Sequence, residues 1–164
     1  MRTLIAAAAI TLAACSTASP DPGPTSHQLD QLLTFRRDPT LQPYRYSNGV
    51  SDAGAVVIRD AAEWERAWQR IVVNHSPKPA APAVDFSREM VLLVAMGTKS
   101  SGGYTAEIQR AVTRAGGLEV DWAAVSPGSN CFTTAALTQP IDVVIVPRVE
   151  GEVAFARHDQ TRNC

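Results

Sequence analysis

The sequence predicts an α+β protein that is mainly β, with an antiparallel sheet or sandwich-like arrangement covered by one helix at about residues 60–74. Three observations predict this fold. Strand-like segments follow one another through the second half of the chain, short turn signals separate them, and only one segment has a clear helical period. Without its first 14 residues the 164-residue chain retains 150, which is the size of one domain.

The beginning of the chain predicts a lipoprotein signal peptide over residues 1–14. A basic start precedes an apolar run over residues 4–12, which is too short to span a bilayer. The run ends in Leu-Ala-Ala-Cys15, which resembles a lipobox, so Cys15 is predicted to carry acyl chains such as palmitate. The alternative is an ordinary secretory signal cleaved near Ala18. Ser16, in place of the aspartate that commonly retains lipoproteins in the inner membrane, favours the periplasmic face of the outer membrane.

Composition divides the remainder of the chain into three parts. Residues 15–28 are rich in proline, glycine, serine and threonine, which predicts a flexible tether. Residues 29–157 predict a single globular domain. Residues 158–164 predict a C-terminal tail.

A small hairpin and the helix open the domain. Residues 44–47 alternate aromatic and polar side chains, Asn48-Gly49 signals a turn, and residues 55–58 predict the second strand. Asp60 is suited to cap the helix over residues 60–74. Its bulky apolar side chains share one stripe: Trp64, Trp68, Ile71 and Val72. We interpret the two tryptophans as core packing rather than as a ligand platform.

The second half of the chain predicts six strands. The first is a continuous apolar run, which is typical of a strand buried on both faces, and several of the others alternate apolar and polar side chains. The predicted strands are residues 90–96, 104–110, 118–122, 132–137, 141–146 and 153–156.

The cysteines predict a disulfide. If Cys15 is acylated, Cys131 and Cys164 remain in an oxidising compartment, where thiols tend to pair. A bridge would close a loop of roughly 34 residues and contribute roughly 3–4 kcal/mol by chain entropy. It would also hold the C-terminal tail. The alternatives are two free thiols, or a Cys131 buried as a small apolar residue.

Charge and motifs argue against several classes of function. The net charge of −1 leaves no basic stripe, which argues against a nucleic-acid partner. The histidines and cysteines have neither His-x-x-x-His nor Cys-x-x-Cys spacing, so no metal site is predicted. A G-x-S-x-G elbow and a phosphate-binding loop are also missing. We therefore predict no cofactor and no enzymatic activity.

One loop is a candidate site for binding a protein partner. It comprises Lys99, Ser100, Ser101, Gly102, Gly103 and Tyr104. Its glycines permit unusual backbone geometry, and its tyrosine supplies a large amphipathic ring. The alternative is a hairpin loop with an anchoring tyrosine. We interpret the lysine as a solvated loop residue rather than as part of a catalytic Ser/Lys pair, because nothing near it in the sequence would lower its pKa.

Two segments resemble the C-terminal domain of the PrcB-like protease complex subunits. The first is the strand at residues 90–96 with Gly97 and Ser101-Gly102-Gly103-Tyr104. The second is Cys131-x-x-Thr134-x-Ala136-x-Thr138-x-Pro140 before residues 143–147. The resemblance covers about residues 84–157. In the family a Pro-Thr pair is frequent where this chain has Ser100-Ser101.

The resemblance implies a non-catalytic accessory module of the cell envelope. Its expected partners are the membrane, through the lipid anchor, and an exported protein such as a protease, whose complex it would assist or stabilise. Three alternatives remain open. Gly102-Gly103-Tyr104 is similar to the Thr-Gly-Tyr wedge of chagasin-like protease inhibitors, Ser101 would be the centre of a hydrolase site, and a structural envelope lipoprotein would need no specific partner.

Overall fold

The computed structural model contains two stacked β-sheets and one α-helix. It describes residues 30–114 and 116–164. The four-stranded sheet has the order β1 (Gln31–Leu32), β4 (Thr105–Arg114), β5 (Gly117–Pro127), β7 (Val153–Arg162). The three-stranded sheet has the order β2 (Ala53–Ile58), β3 (Glu89–Met96), β6 (Ile141–Pro147). All pairs are antiparallel except β5 with β7, which is parallel. This architecture confirms the predicted fold class.

The three-stranded sheet is the middle of three layers. On one face it packs against helix α1 (Ala61–Ile71) through side chains such as Val91 and Leu93. On the other face it packs against the four-stranded sheet through side chains such as Met90 and Leu92. Because both faces of β3 are covered, its side chains do not alternate between apolar and polar, and the strand is apolar from Met90 to Met96.

Helix α1 forms where its cap and its apolar stripe predict it. The Asp60 carboxylate accepts a hydrogen bond from the Glu63 backbone N–H at 2.8 Å, which satisfies a donor of the first turn. Trp64 and Trp68 are buried, and their indole N–H groups donate to the carbonyls of Pro82 and Pro79 at 2.9 and 2.8 Å. The interpretation of both tryptophans as core residues is confirmed.

Four of the six predicted strands are present with longer boundaries than expected. Residues 90–96, 105–110, 118–122 and 141–146 lie in β3, β4, β5 and β6, and Tyr104 lies just before β4. The fifth, at residues 153–156, is the start of β7, which continues to Arg162. The expectation of a tail over residues 158–164 is therefore wrong for residues 158–162. These residues pair with β5 in parallel register, which satisfies the backbone groups that face β5 although the side chains are exposed.

The predicted strand at residues 132–137 is wrong. This segment belongs to the connection that leaves β5 in one sheet and enters β6 in the other, so no single strand runs beside it over its length. Only Thr138, just beyond it, forms a β-bridge, with Lys99. The aromatic, threonine and aliphatic residues of the segment are therefore not a sign of sheet pairing.

The predicted hairpin around Asn48-Gly49 is also wrong. Residues 39–44 form a short 3₁₀ helix capped by Asp38, whose carboxylate accepts from the Thr40 N–H at 3.0 Å. Asn48 is buried, and its side-chain amide donates to the carbonyls of Tyr44 and Gln139, each at 2.7 Å. The polar groups of Asn48 thus hold a crossing segment against the start of β6 rather than making a two-residue turn.

The predictions on the first part of the chain lie outside the described residues. These are the signal peptide at residues 1–14, the acylation of Cys15 and the tether at residues 15–28. Among the residues that are described, no helix is both long and apolar enough to cross a bilayer.

Candidate functional site

Two loops meet at one end of the stacked sheets, and together they form the candidate site. The first, residues 97–104, joins β3 to β4, and the second, residues 128–140, joins β5 to β6. We refer to them as the loop pair. The backbones of Lys99 and Thr138 exchange hydrogen bonds of 2.8 and 3.0 Å, and the Gly102 N–H donates to the Thr134 carbonyl at 3.0 Å. The structure therefore brings together the two segments that carry the family resemblance.

Two glycines let the loops approach each other. Gly103 has a φ of +90°, and a Cβ there would lie 3.0 Å from both Pro127 Cβ and Thr133 Cγ2. A Cβ on Gly102 would collide with Thr134 Oγ1. Glycine is required at Gly103 both for backbone conformation and for space, which explains the Gly-Gly pair in the first loop.

Tyr104 anchors the first loop rather than protruding from it. Its ring is half-buried and packs against the core between the two sheets. The Lys99 Nζ lies 5.6 Å from the centre of this ring, within range of a cation–π interaction. Ser100 is exposed, so of the predicted site residues it is one of the side chains best placed to touch a partner.

Ser101 has a structural environment. Its hydroxyl donates to the Gly102 carbonyl at 3.2 Å, and its own carbonyl accepts from the Thr138 hydroxyl at 2.8 Å. Among the described residues, no histidine or carboxylate side chain forms a hydrogen bond with the Ser101 hydroxyl. This arrangement supplies no general base for a nucleophilic serine.

The predicted disulfide between Cys131 and Cys164 is present in the structure. It spans a sequence separation of 33 and joins the second loop to the residues that follow β7, with the two Cα atoms 5.2 Å apart. Nearby, the Gly128 N–H donates to the Arg162 carbonyl at 2.8 Å. The second loop is thus attached to β7 by a covalent bond and to the first loop by hydrogen bonds.

Between these attachment points the second loop exposes apolar side chains. Residues 132–137 are all exposed, and none of them is charged. Phe132 is fully exposed, at 106% of its reference area, and Leu137 is 71% exposed. The sequence analysis missed these two residues because it assigned them to a strand. The signal that could have found them was the position of the segment between a disulfide cysteine and Pro140.

A second polar cluster, also missed, lies inside the sheets. Asp142 is 1% exposed on β6. Its carboxylate accepts from the Ile108 N–H at 2.7 Å and from the Arg37 guanidinium at 2.7 and 3.0 Å, and Arg45 lies 3.9 Å away. We call Asp142, Arg37 and Arg45 the clasp. A single acidic residue within the apolar run at residues 141–146 was the available signal.

The clasp connects the three-stranded sheet to β4 at the point where the pairing of β4 with β5 is irregular. The register of β4 with β5 shifts between Ile108 and Arg110. The Asp142 carboxylate accepts a hydrogen bond from the Ile108 N–H, while the guanidinium of Arg37 donates to the Ile108 carbonyl at 2.7 Å. The hydrogen bond that Arg37 donates to the Asp142 carboxylate raises the pKa of Arg37 above its ordinary value. These contacts assign the clasp to the scaffold.

Comparison with known families gives one match. Residues 90–147 match the family model described as PrcB C-terminal. Over these residues the chain is similar to the PrcB C-terminal family. The predicted resemblance is thereby confirmed over a shorter range than residues 84–157. No curated protein and no solved structure matches the chain.

The matched region, residues 90–147, contains the whole loop pair and Asp142, and it runs from within β3 to the end of β6. It does not contain Arg37, Arg45, α1 or β7. Within residues 30–114 and 116–164, no three histidine, cysteine, aspartate or glutamate side chains form a cluster that could hold a metal ion.

Proposed function

We propose that this chain is a lipid-anchored, non-catalytic accessory subunit that binds an exported protease through the loop pair and stabilises it. The observation that carries the proposal is the uncharged apolar segment at residues 132–137, which lies within the PrcB C-terminal domain. Exposed aromatic and aliphatic side chains on a rigid scaffold are the usual anchors of protein–protein interfaces.

The attachment of the loop pair supports a binding role. The disulfide at Cys131 and the bridge at Thr138 lie on the two sides of the exposed segment. A loop that is held in place before binding loses less conformational entropy when the complex forms. Phe132 and Leu137 are therefore presented on a pre-organised support.

Acylation of Cys15 is the second part of the proposal. Two or three acyl chains make a stable anchor where a single chain gives marginal binding. The lipobox-like Leu-Ala-Ala-Cys15 and the following Pro- and Ser-rich segment support a domain that stands off the outer membrane on its periplasmic side. In this location the loop pair would meet exported proteins.

Photo-cross-linking in cells tests the binding face. A photoreactive amino acid replaces Phe132 in one strain and Val73 in a second strain, since Val73 is also apolar and is 52% exposed. We expect a cross-linked product that contains an exported protease for position 132 and not for position 73. Equal products at both positions, or no protease in the product at position 132, would contradict the proposal.

A substitution tests whether the contact stabilises the protease. Phe132→Ser removes an exposed ring, so the melting temperature of the chain should change little. The amount of the cross-linked protease in the envelope should fall, whereas Val73→Ser should leave it unchanged. An unchanged protease level with Phe132→Ser would contradict the stabilising role but not the binding of the protease.

The anchor is tested separately by Cys15→Ser. We expect the variant to leave the membrane fraction and to lose the mass of its acyl chains. Identical fractionation of the variant and the parent chain would contradict acylation at Cys15 without bearing on the loop pair.

The structure offers less support for direct inhibition of a protease. A chagasin-like wedge needs a protruding loop, whereas Tyr104 packs on the core and Gly103 lies against Pro127 and Thr133. Titration of the chain against a panel of cysteine proteases separates the two roles. A dose-dependent loss of protease activity would favour inhibition over the accessory role.

A further inference from the structure

We propose that the free edge of β2, together with the groove between β2 and α1, binds an extended acidic polypeptide segment by strand addition. This surface uses none of the residues of the loop pair. The proposal goes beyond the proposed function and does not depend on it.

The outer edge of β2 has backbone groups available for another strand. In the described sheet, β2 pairs only with β3. The Met96 N–H on β3 donates to the Pro140 carbonyl, on the side of β6, so alternation directs the backbone groups of Ala95 and Leu93 toward β2. Their partners are Gly54 and Val56. The N–H and C=O groups of the alternate residues, Ala55 and Val57, therefore face outward.

This edge lacks the usual protection against strand pairing. Edge strands are commonly blocked by a charged residue, a proline or a bulge. The β2 sequence Ala-Gly-Ala-Val-Val-Ile contains no charge and no proline, and its register with β3 is unbroken from Ala53 to Ile58. A row of free donors and acceptors on such an edge is complemented by another extended backbone.

A groove beside this edge can hold the side chains of the added strand. It has a volume of about 400 Å³ and runs between β2 and α1, where Ala67 and Arg70 form the wall on the helix side. Val56 is 44% exposed toward it, and the position of a Cβ on Gly54 is open space. The groove is thus apolar, shallow and open, which suits small and medium aliphatic side chains.

The charges at the groove favour an acidic ligand. Arg66 and Arg70 lie one turn apart on α1, and both are exposed. Arg70 lines the groove, and both arginines line an adjoining pocket beside Val56 and Ile58 of β2. Among the described residues, neither forms an ion pair. Of the nearby carboxylates, Glu63 accepts from the Arg59 N–H, and Asp52 lies at the far end before β2. Two cations beside a strand edge complement acidic side chains on the added strand.

The experiment uses two fluorescent seven-residue peptides as probes. One peptide alternates glutamate with valine and the other alternates lysine with valine. The full chain in detergent should raise the anisotropy of the glutamate peptide and not that of the lysine peptide. Bound peptide should slow hydrogen exchange at the amides of Ala55 and Val57, while the amides of Gly54 and Val56 already pair with β3.

Two kinds of variant test the mechanism. Ala55→Pro removes an outward N–H and leaves the ladder to β3 intact, so the fold is retained and binding of the glutamate peptide should fall at least tenfold. The double variant Arg66→Glu/Arg70→Glu should bind the lysine peptide in place of the glutamate peptide. Arg162→Glu, at the end of β7, is a charge-reversal control away from the groove and should bind as the parent chain does.

Three outcomes would overturn the proposal. The first is no binding of the glutamate peptide by the parent chain. The second is an unchanged peptide preference in the charge-reversed double variant, which stays informative if Ala55→Pro fails to fold. The third is a dimer of the parent chain that Ala55→Pro abolishes without any peptide binding, since a second copy of the chain would then occupy the edge.

Discussion

The clasp buries a charged side chain, whereas the loop pair exposes apolar side chains. The clasp buries a carboxylate between two sheets, where Asp142 is 1% exposed. The loop pair exposes Phe132 and Leu137 and has no charged residue between them. Clustered buried charges commonly mark an active site. In this molecule they stabilise the scaffold, and the exposed segment at residues 132–137 is uncharged.

The comparison also shows what the matched domain requires from outside its boundaries. Asp142 and the loop pair lie within residues 90–147, whereas Arg37 and Arg45 come from the preceding segment and Cys164 from the end of the chain. Both regions are therefore completed by residues beyond the family match. The segment 90–147 alone would leave a buried carboxylate without its cations.

Removal of the clasp carboxylate should have the largest effect on stability. Asp142→Ala leaves the Ile108 N–H and the Arg37 guanidinium without their acceptor, and breaking a buried pair in this way costs roughly 3–5 kcal/mol. Urea denaturation measures the loss of unfolding free energy. The control is Asp159→Ala, because Asp159 is 72% exposed in its ion pair with Arg157, and such pairs contribute about 1 kcal/mol or less. Equal losses of unfolding free energy for the two variants would show that the clasp stabilises the fold no more than an exposed ion pair does.

Loss of the disulfide should be the next largest effect, and it falls on the loop pair. The double variant Cys131→Ser/Cys164→Ser should lose roughly 2–5 kcal/mol of unfolding free energy, since a long loop of the unfolded chain is no longer closed. Hydrogen exchange should become faster in residues 128–140 and at the end of β7. A reducing agent should destabilise the parent chain and leave the double variant unchanged. Faster hydrogen exchange around Asp142 instead would show that the disulfide stabilises the clasp rather than the loop pair.

Apolar patterning predicted the scaffold because burial on both faces leaves a strong sequence signal. The run at residues 90–96 and the stripe of Trp64, Trp68 and Ile71 identified β3 and α1 directly. The length of β7 was missed because its side chains from residue 157 onward are exposed, so its pairing with β5 leaves no apolar pattern. Residues 44–47 were missed because Asp38 and Asn48 act through hydrogen bonds that alternation does not register.

The candidate site was predicted only in its first loop. Gly102, Gly103 and Tyr104 were recognisable by residue type. Phe132 and Leu137 lie in a segment that was predicted as a strand, and their exposure depends on a crossing between the two sheets. Asp142 was missed because its partners Arg37 and Arg45 are about a hundred residues away in the sequence. Contacts of this kind are set by topology and leave no local pattern.

A pair of glycine variants measures the close packing of the loop pair. Gly103 and Gly116 have similar φ values of +90° and +83°, so alanine at either position carries a backbone penalty of roughly 1–2 kcal/mol. A Cβ on Gly103 also meets Pro127 and Thr133, whereas a Cβ on Gly116 meets nothing within 4 Å. Gly103→Ala should therefore lose more unfolding free energy than Gly116→Ala. Equal losses of unfolding free energy would show that Pro127 and Thr133 move aside to accommodate the added Cβ at little cost.

The smallest expected effect concerns charges outside the clasp. Asp121 faces His158 at 3.1 Å and Arg110 at 3.2 Å on the solvent side of the four-stranded sheet. The hydrogen bond from His158, followed by that from Arg110, lowers the pKa of Asp121 below its ordinary value of 3.8. The folded state therefore favours the ionised carboxylate. Its contribution to stability is present above pH 3.8 and is lost as the pH falls through the lower pKa of the folded state.

Asp121→Asn should remove this part of the acid sensitivity. At pH 7 the variant should lose about 1 kcal/mol or less, because the pair is partly exposed to solvent. The difference in unfolding free energy between the variant and the parent chain should shrink as urea titrations are moved below pH 3.8. A difference that stays constant with pH would assign the loss to packing rather than to charge. A loss as large as that of Asp142→Ala would mean that burial does not distinguish the clasp from the surface pairs.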